Sequence, residues 1–130
     1  MNPEIPLSPQ ATALIQSLTK GAPLRELGVT LEVPPLVENG NLVEVTVQAE
    51  SPMTAAQHVK AMHLVSGTNP SAQVLSVQLT PDNGAARIRT RMRMADSQQV
   101  IALVQDADNT WRIARRQSLV TLSACLEGLI

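Results

Sequence analysis

The sequence predicts an all-β protein, an antiparallel sandwich of about seven strands preceded by one short N-terminal helix. After Pro23 the apolar residues recur with a period of two, which is typical of half-buried strands. Turn-forming residues interrupt this alternation at intervals of about 8–12 residues, and no βαβ rhythm accompanies them. These features together favour a β-sandwich of the immunoglobulin type.

The composition indicates a single domain, residues 1–130, built around one core. The chain is 44% hydrophobic but contains no Phe or Tyr, so Val, Leu, Ile, Ala and Met must form that core. A net charge of −1 supplies no basic field for nucleic acid. No stretch approaches the roughly 20 apolar residues that span a bilayer. The first six residues lack signal-peptide features, so we expect either a cytoplasmic protein or a mature form without its leader.

A helix over residues 8–20 is the first predicted element. Ser8 is a suitable N-cap, Pro9 suits the first helical position, and Gly21 can end the helix. The following sandwich covers residues 29–122, and residues 123–130 form a C-terminal cysteine arm. The first four strands are predicted at 29–33, 43–49, 58–65 and 74–80.

The second half of the chain opens with Pro-Asp-Asn-Gly at 81–84, a pattern typical of a hairpin turn. Further strands are predicted at 86–94, 100–105 and 116–124, with a loop at 106–109. The strand at 100–105 is apolar on both sides, so both of its faces must be covered. Either the helix or another protein could cover the face that carries Ile101 and Leu103, which makes these two residues candidates for partner binding.

Four arginines alternate along the strand at 86–94 and point to one face: Arg87, Arg89, Arg91 and Arg93. Because residues on one face of a strand are about 6.6–6.8 Å apart, the guanidinium groups cover roughly 20 Å. This face is either an ordinary solvated surface or a surface that binds an acidic partner protein or an anionic substrate.

No catalytic or metal-binding motif is recognisable in the sequence, so we expect no catalytic site, metal or cofactor of the protein's own. His58 and His63 are five residues apart on one predicted strand, so their side chains leave opposite faces and cannot easily share a metal ion.

Cys125 is the single cysteine and lies five residues from the last residue of the sequence. It is either a small buried hydrophobic residue or a thiol at a chain end that another protein's active site can receive. We expect the last strand to continue to about Ser123 and Cys125 to be at least partly exposed beyond it.

Seven segments carry a family resemblance. They are Val-Glu-Asn-Gly-Asn (37–41), Glu-Ser-Pro-Met-Thr (50–54), His-Val-Lys-Ala-Met-His (58–63), Asn-Pro (69–70), Leu-Thr-Pro (79–81), Thr-Arg-Met-Arg-Met-Ala-Asp-Ser-Gln (90–98) and Leu-Val-Thr-Leu (119–122). In this order, across about residues 10–125, they resemble SoxY, the sulfur-carrier subunit of bacterial thiosulfate oxidation. The resemblance implies an immunoglobulin-like sandwich, a periplasmic location and a heterodimer with a second sandwich subunit, SoxZ.

The resemblance also implies that Cys125 is the covalent attachment point for sulfur intermediates. That family's arm reads Gly-Gly-Cys-Gly-Gly, whereas Cys125 is flanked by Ser123, Ala124, Leu126 and Glu127, as in a related group whose arm reads roughly Ala-Ala-Cys-Ile-Glu. The leading hypothesis is therefore a non-catalytic carrier subunit of a SoxYZ-like complex that enzymes of the pathway visit. The alternative is a SoxY-derived interaction module that carries nothing and docks through an apolar tail of Leu126, Leu129 and Ile130. Without a SoxZ-like partner, an exposed apolar patch at residues 100–104 could drive self-association instead.

Overall fold

The computed structural model describes residues 3–121, which form one α-helix and nine strands in two sheets. Helix α1 spans Pro9–Thr19. The strands are β1 Leu24–Arg25, β2 Val29–Glu32, β3 Leu36–Val37, β4 Val43–Ala49, β5 Val59–Ser66, β6 Gln73–Gln78, β7 Ala86–Met92, β8 Gln98–Asp106 and β9 Trp111–Val120. No helix among these residues is long and apolar enough to cross a membrane.

Helix α1 begins and ends as local sequence signals predict. The Ser8 hydroxyl oxygen accepts a hydrogen bond from the Ala11 backbone N–H at 3.1 Å, and Pro9 occupies the first helical position. At the other end Lys20 adopts a left-handed conformation with φ of 53°, and its N–H donates to the Gln16 carbonyl at 2.7 Å. The left-handed turn therefore starts one residue before the predicted Gly21, which has a positive φ as well.

The two sheets face each other as a sandwich. The larger sheet has the strand order β1-β9-β8-β5-β6, with β3 also paired to β9. The smaller sheet has the order β2-β4-β7. The long strands pair in antiparallel fashion, whereas β1 and β3 each add a two-residue parallel pairing along β9. The all-β sandwich with one helix predicted from the sequence is confirmed, with these two short parallel pairings as an addition.

Two apolar clusters fill the molecule. The larger one lies between the sheets and is built from Val, Leu, Ile, Met and Ala side chains of both, including Val45, Met62 and Val100. The second lies between α1 and the outer face of the larger sheet, where Ile101 and Leu103 are 1% and 0% exposed. The helix, and not a partner protein, therefore covers the second face of β8. In this fold Ile101 and Leu103 are core residues, which corrects their prediction as partner-binding residues.

The last strand is longer than the sequence suggests. It begins at Trp111 and not at Arg116. The sequence does not show this start, because Arg112 is charged but buried and so interrupts the alternation of apolar and polar residues. The guanidinium of Arg112 is paired with Asp106, which allows a charge to occupy an inward position.

The prediction of a hairpin at 81–84 is wrong. Residues Pro81–Asn83 form a single turn of 3-10 helix, and the strands on either side belong to different sheets. β6 pairs with β5, whereas β7 pairs with β4. A Pro-Asp-Asn-Gly sequence reverses the chain in both cases, so the local turn signal alone does not distinguish a hairpin from a crossing between sheets.

Candidate functional site at the end of the last strand

The candidate attachment residue Cys125 lies outside the described residues, as do Leu122 and Ser123 at the predicted end of the last strand. The structure shows the point from which they continue. β9 ends at Val120, and Thr121 is the last described residue. We refer to residues 118–121 as the arm base.

One side of the arm base is held by the segment that connects β2 to β3. The backbone N–H of Leu119 donates to the Pro35 carbonyl at 2.9 Å, and the Ser118 hydroxyl donates to the Pro34 carbonyl at 2.7 Å. Proline has no N–H but keeps its carbonyl as an acceptor. The two prolines therefore end β2 and at the same time supply acceptors to the arm base.

Thr121 makes the last described hydrogen bonds on this side of the arm base. Its backbone N–H donates to the Val37 carbonyl at 2.9 Å, and its hydroxyl lies 3.3 Å from the Glu38 carbonyl oxygen. The parallel pairing of Val37 with Val120 directs both side chains into the main core. The chain is therefore held in place up to Thr121, four residues before Cys125.

The other side of the arm base is held by the loop before β8. The Ser97 hydroxyl oxygen accepts a hydrogen bond from the Val120 backbone N–H at 2.8 Å. The next residue, Gln98, is fully buried, and its side-chain carbonyl accepts a 2.6 Å hydrogen bond from the Ser66 hydroxyl. The Gln98 amide group donates to the Asp96 carbonyl at 3.0 Å. The loop that carries Ser97 is therefore itself held by hydrogen bonds.

Asn69 links this loop to the end of β7. Its side-chain oxygen accepts hydrogen bonds from the Ala95 backbone N–H at 2.9 Å and from the Gln98 amide at 3.0 Å. Its amide group donates to the Arg93 carbonyl at 2.6 Å. These are all neutral, short-range contacts. The sequence resemblance includes Asn69, Ser97 and Gln98, but only the structure shows that Asn69 bonds to Gln98 and that Ser97 bonds to the arm base.

Two exposed leucines flank the arm base. Leu36 of β3 and Leu119 of β9 are directly paired neighbours, and they are 59% and 38% exposed. They lie on the outer face of the larger sheet, the same face on which α1 covers Ile113 farther along β9. Exposed apolar side chains that lie next to each other are typical of surfaces that contact another protein.

An ion pair between two side chains holds the opposite end of β9. The Arg112 guanidinium donates to both carboxylate oxygens of Asp106, at 2.9 and 2.8 Å, and to the Gly28 carbonyl at 3.2 Å. Gly28 has φ of 67°, which favours glycine, and a Cβ at this position would lie 2.7 Å from an Arg112 nitrogen and displace the guanidinium. Nearby, the Thr110 side chain and N–H hydrogen-bond to Asp108 and lower the pKa of its carboxyl.

The two histidines occupy separate sites. His63 stacks on Trp111 with ring centroids 5.8 Å apart, its Nδ1 lies 2.7 Å from the Ser76 hydroxyl, and burial lowers the pKa of its imidazole. The Nδ1 of His58 instead lies 3.0 Å from the Thr54 carbonyl oxygen. Among residues 3–121, no group of three or more His, Cys, Asp or Glu side chains is placed to hold a metal ion.

The arginines lie where the sequence predicts. Arg87, Arg89 and Arg91 are exposed on the outer face of β7, and Arg93 is exposed just beyond its end. Only Arg91 has an ion-pair partner in the part of the chain that the structure describes, Glu44 at 3.8 Å. The row runs towards the arm base, because the Arg93 carbonyl accepts the hydrogen bond from Asn69.

The chain was compared with models of protein families and with known proteins. A family model described as sulfur oxidation protein SoxY matches residues 15–125, a range that ends at Cys125. A search of curated proteins finds no match.

Solved structures share the fold. The sulfur carrier protein SoxY from Chlorobium limicola f thiosulfatophilum is 24% identical with a TM-score of 0.71, over 85% of this chain and 91% of that chain. A superoxide reductase (neelaredoxin) from Ignicoccus hospitalis is 17% identical with a TM-score of 0.63, over 72% and 80% of the two chains. A superoxide reductase from Nanoarchaeum equitans is 8% identical with a TM-score of 0.61, over 73% and 99%. At these identities the likeness is one of fold.

Proposed function

We infer the function from the family, because the chain belongs to the SoxY family of sulfur oxidation proteins. We propose that it is a carrier subunit of a periplasmic SoxYZ-like complex and that sulfur intermediates are attached covalently to Cys125. The subunit has no catalytic site of its own in this proposal. Partner enzymes of the pathway act on the group that Cys125 holds.

The arm base is the observation that carries the proposal. The chain is hydrogen-bonded on both sides up to Thr121, and four further residues lead to Cys125. Four residues span at most about 13–14 Å when fully extended. The body of the protein therefore limits the thiol to a small region near the arm base, as a carrier that presents its cargo to successive enzymes requires.

The chemistry needs partners. A thiol R–SH and thiosulfate form R–S–SSO₃⁻ with the release of one proton and two electrons, so a partner oxidoreductase must accept the electrons. A free cysteine has a pKa of about 8.5, and the thiolate is the nucleophile. Since little thiolate is present at neutral pH, we expect the enzyme that loads Cys125 to promote loss of its proton.

The residues around the thiol define which enzymes can act on it. Glycine on both sides of a carrier cysteine makes an arm thin and conformationally free. Ser123, Ala124, Leu126 and Glu127 add side chains at those positions. We propose that the partner enzymes of this protein have a wider channel than enzymes that receive a glycine-flanked cysteine.

Intact-mass analysis of the protein isolated from its native host, grown on thiosulfate, tests carriage directly. We expect a sulfur- or sulfonate-containing adduct that a reductant removes, and a matched Cys125→Ser variant without any adduct. A wild-type protein that carries only a free thiol under these conditions would contradict carriage. It would favour the alternative interaction module with the apolar tail of Leu126, Leu129 and Ile130.

Assembly with a SoxZ-like subunit is a second, separate test. Co-expression should give a heterodimer that remains intact during size-exclusion chromatography at micromolar concentration, and separate elution would contradict the assembly. We expect the exposed pair Leu36 and Leu119 to lie at or near this contact. Leu36→Asp should then weaken the heterodimer, whereas Leu27→Asp is a matched control at an exposed leucine in the β1–β2 connection.

A further inference from the structure

The smaller sheet has an open edge. β7 pairs with β4 over its whole length, from Ala86 to Met92, and no strand of residues 3–121 lies on its other side. At such an edge every second residue directs its N–H and C=O groups away from the sheet, where they are available to another chain. Seven residues at about 3.4 Å each present an edge of roughly 20 Å or more.

The outer face next to this edge has an uneven distribution of charge. In the register of the sheet, Arg87 lies beside Gln48, Arg89 beside Thr46 and Arg91 beside Glu44. Within residues 3–121 the only ion pair of this row joins Arg91 to Glu44 at 3.8 Å, and the two side chains are 64% and 70% exposed. Such an exposed ion pair contributes little to the stability of the fold, and salt screens it. The positive charge is thus concentrated on the outermost strand and left largely uncompensated.

We propose that the open edge of β7 binds an extended acidic segment of a partner protein, which adds a fourth strand to the smaller sheet. Backbone hydrogen bonds to β7 supply the affinity, and alternate side chains of the added strand supply the selectivity. Side chains directly opposite each other on paired strands have Cβ atoms about 4.5–5.5 Å apart. Asp or Glu at every second position of the partner segment therefore lies beside Arg87, Arg89 and Arg91.

The edge, and not the face, is the docking surface. The side chains on the outer face of the smaller sheet are polar on all three strands, as at Thr30, Gln48 and Glu44. A polar face without an apolar patch does not bury the hydrophobic area on which a face-to-face contact depends. The free backbone groups of β7, by contrast, offer directional bonds, and the arginines increase the rate of encounter with an acidic segment.

The direction of the row connects this edge to the arm base. Arg93 follows β7, and its carbonyl is bound by Asn69, whose side-chain oxygen also accepts the Gln98 amide. Ser97, next to Gln98, holds Val120. A partner bound along β7 therefore ends near the arm base. Binding at the edge does not depend on the thiol, so its failure and a failure of sulfur carriage are distinguishable.

The test uses the full chain and three fluorescently labelled eight-residue peptides. The first alternates Glu with Thr, the second has the same composition with all Glu residues contiguous, and the third is the first with alternate backbone amides N-methylated. Fluorescence anisotropy measures binding at low and high salt. We expect the alternating peptide to bind at least several-fold more tightly than the other two, because only it matches both the arginine spacing and the backbone edge.

Two double variants remove the same charge at different places. Arg87→Gln with Arg89→Gln should weaken binding of the alternating peptide by about tenfold and flatten its salt dependence. Arg115→Gln with Arg116→Gln, at exposed arginines of β9, should change affinity less than about twofold. In the wild type, the peptide should also slow hydrogen exchange of β7 amides.

Two results would overturn the proposal. Equal binding of the three peptides, or equal effects of the two double variants, would mean that the arginines attract anions without strand addition. No binding of the alternating peptide would mean that the arginines protect the edge of β7 from pairing, as charged side chains do at many exposed sheet edges.

Discussion

The two ends of β9 are held by different chemistry. At the amino end, the buried guanidinium of Arg112 bonds to both oxygens of Asp106, and a second arginine, Arg25, lies 3.6 Å from the same carboxylate. At the arm base, neutral hydroxyl, amide and carbonyl groups make the hydrogen bonds, as in the bonds from Val120 to Ser97 and from Thr121 to Val37. An ion pair therefore holds the amino end of β9, whereas neutral hydrogen bonds hold the arm base.

The two kinds of contact differ in strength and in their response to salt. A buried charge requires its partner, so the ionic end fixes the start of β9 firmly but is costly to disturb. Neutral hydrogen bonds contribute less each and respond little to salt. The arm base is therefore expected to keep its geometry when charged groups approach, as the proposed role of Cys125 requires.

The strongest test of this contrast removes the charge at the amino end. Arg112→Met should lower the free energy of unfolding by about 3 kcal/mol, because it leaves the Asp106 carboxylate without its buried partner. Urea denaturation followed by circular dichroism measures the change. Arg115→Met removes an exposed arginine that pairs with Glu26 at 3.0 Å, and it should cost less than about 1 kcal/mol. Equal costs for the two variants would contradict an ionic clamp at this end.

At the arm base, the largest expected effect is that of Gln98→Leu. The substitution keeps the approximate volume but leaves Ser66 and Asn69 without their buried partner, and it should cost about 1–3 kcal/mol. Amide exchange at Val120 should also become faster, since the loop that presents Ser97 is loosened. Gln78→Leu, at an exposed position of β6, serves as the control and should lie within about 0.5 kcal/mol of wild type. If both variants behave alike, the polar network does not support the arm base.

A smaller and more local effect is expected for Ser97→Ala. This variant removes the acceptor of the Val120 N–H and should cost about 1 kcal/mol. Hydrogen exchange at Val120 should accelerate while exchange within β8 remains unchanged. Ser71→Ala, an exposed serine in the loop before β6, should change neither. Acceleration spread over the whole sheet would indicate that Ser97 acts on global stability and not on the arm base.

The smallest expected effect is a dependence on pH that arises near the amino end. Burial lowers the pKa of His63 below its ordinary value of 6.5, so the unfolded chain takes up a proton before the folded one. The stability contributed by neutral His63 is complete above this value and is lost as the pH falls through it towards the folded pKa. Between about pH 7.5 and about pH 5.5, His63→Gln should lose less stability than wild type, as measured by urea midpoints. His58→Gln should follow wild type, and an identical loss in all three proteins would contradict the role of His63.

Much of the fold could be predicted because most strands carry their own signals. The alternation of β4 and the cap of α1 are read from adjacent residues, and the structure confirms both. The start of β9 could not be read in this way, since Arg112 occupies an inward position only because Asp106 pairs with it. The short strands β1 and β3 escaped prediction for a similar reason. Two residues carry no periodicity, and only their pairing with β9 makes them strands.

Some features of the candidate site could likewise be read from the sequence, and others could not. The sequence alone determined the single thiol, its place near the last residue of the sequence, the departure of its neighbours from glycine, and the row of arginines, because these are properties of residue type and spacing. The tertiary structure decided that α1 covers Ile101 and Leu103, that Asn69 bonds to Gln98, and that Ser97 bonds to Val120 of the arm base. These outcomes depend on contacts between residues far apart in the chain, and local pattern carries no information about which distant partner a buried face or a polar side chain will meet.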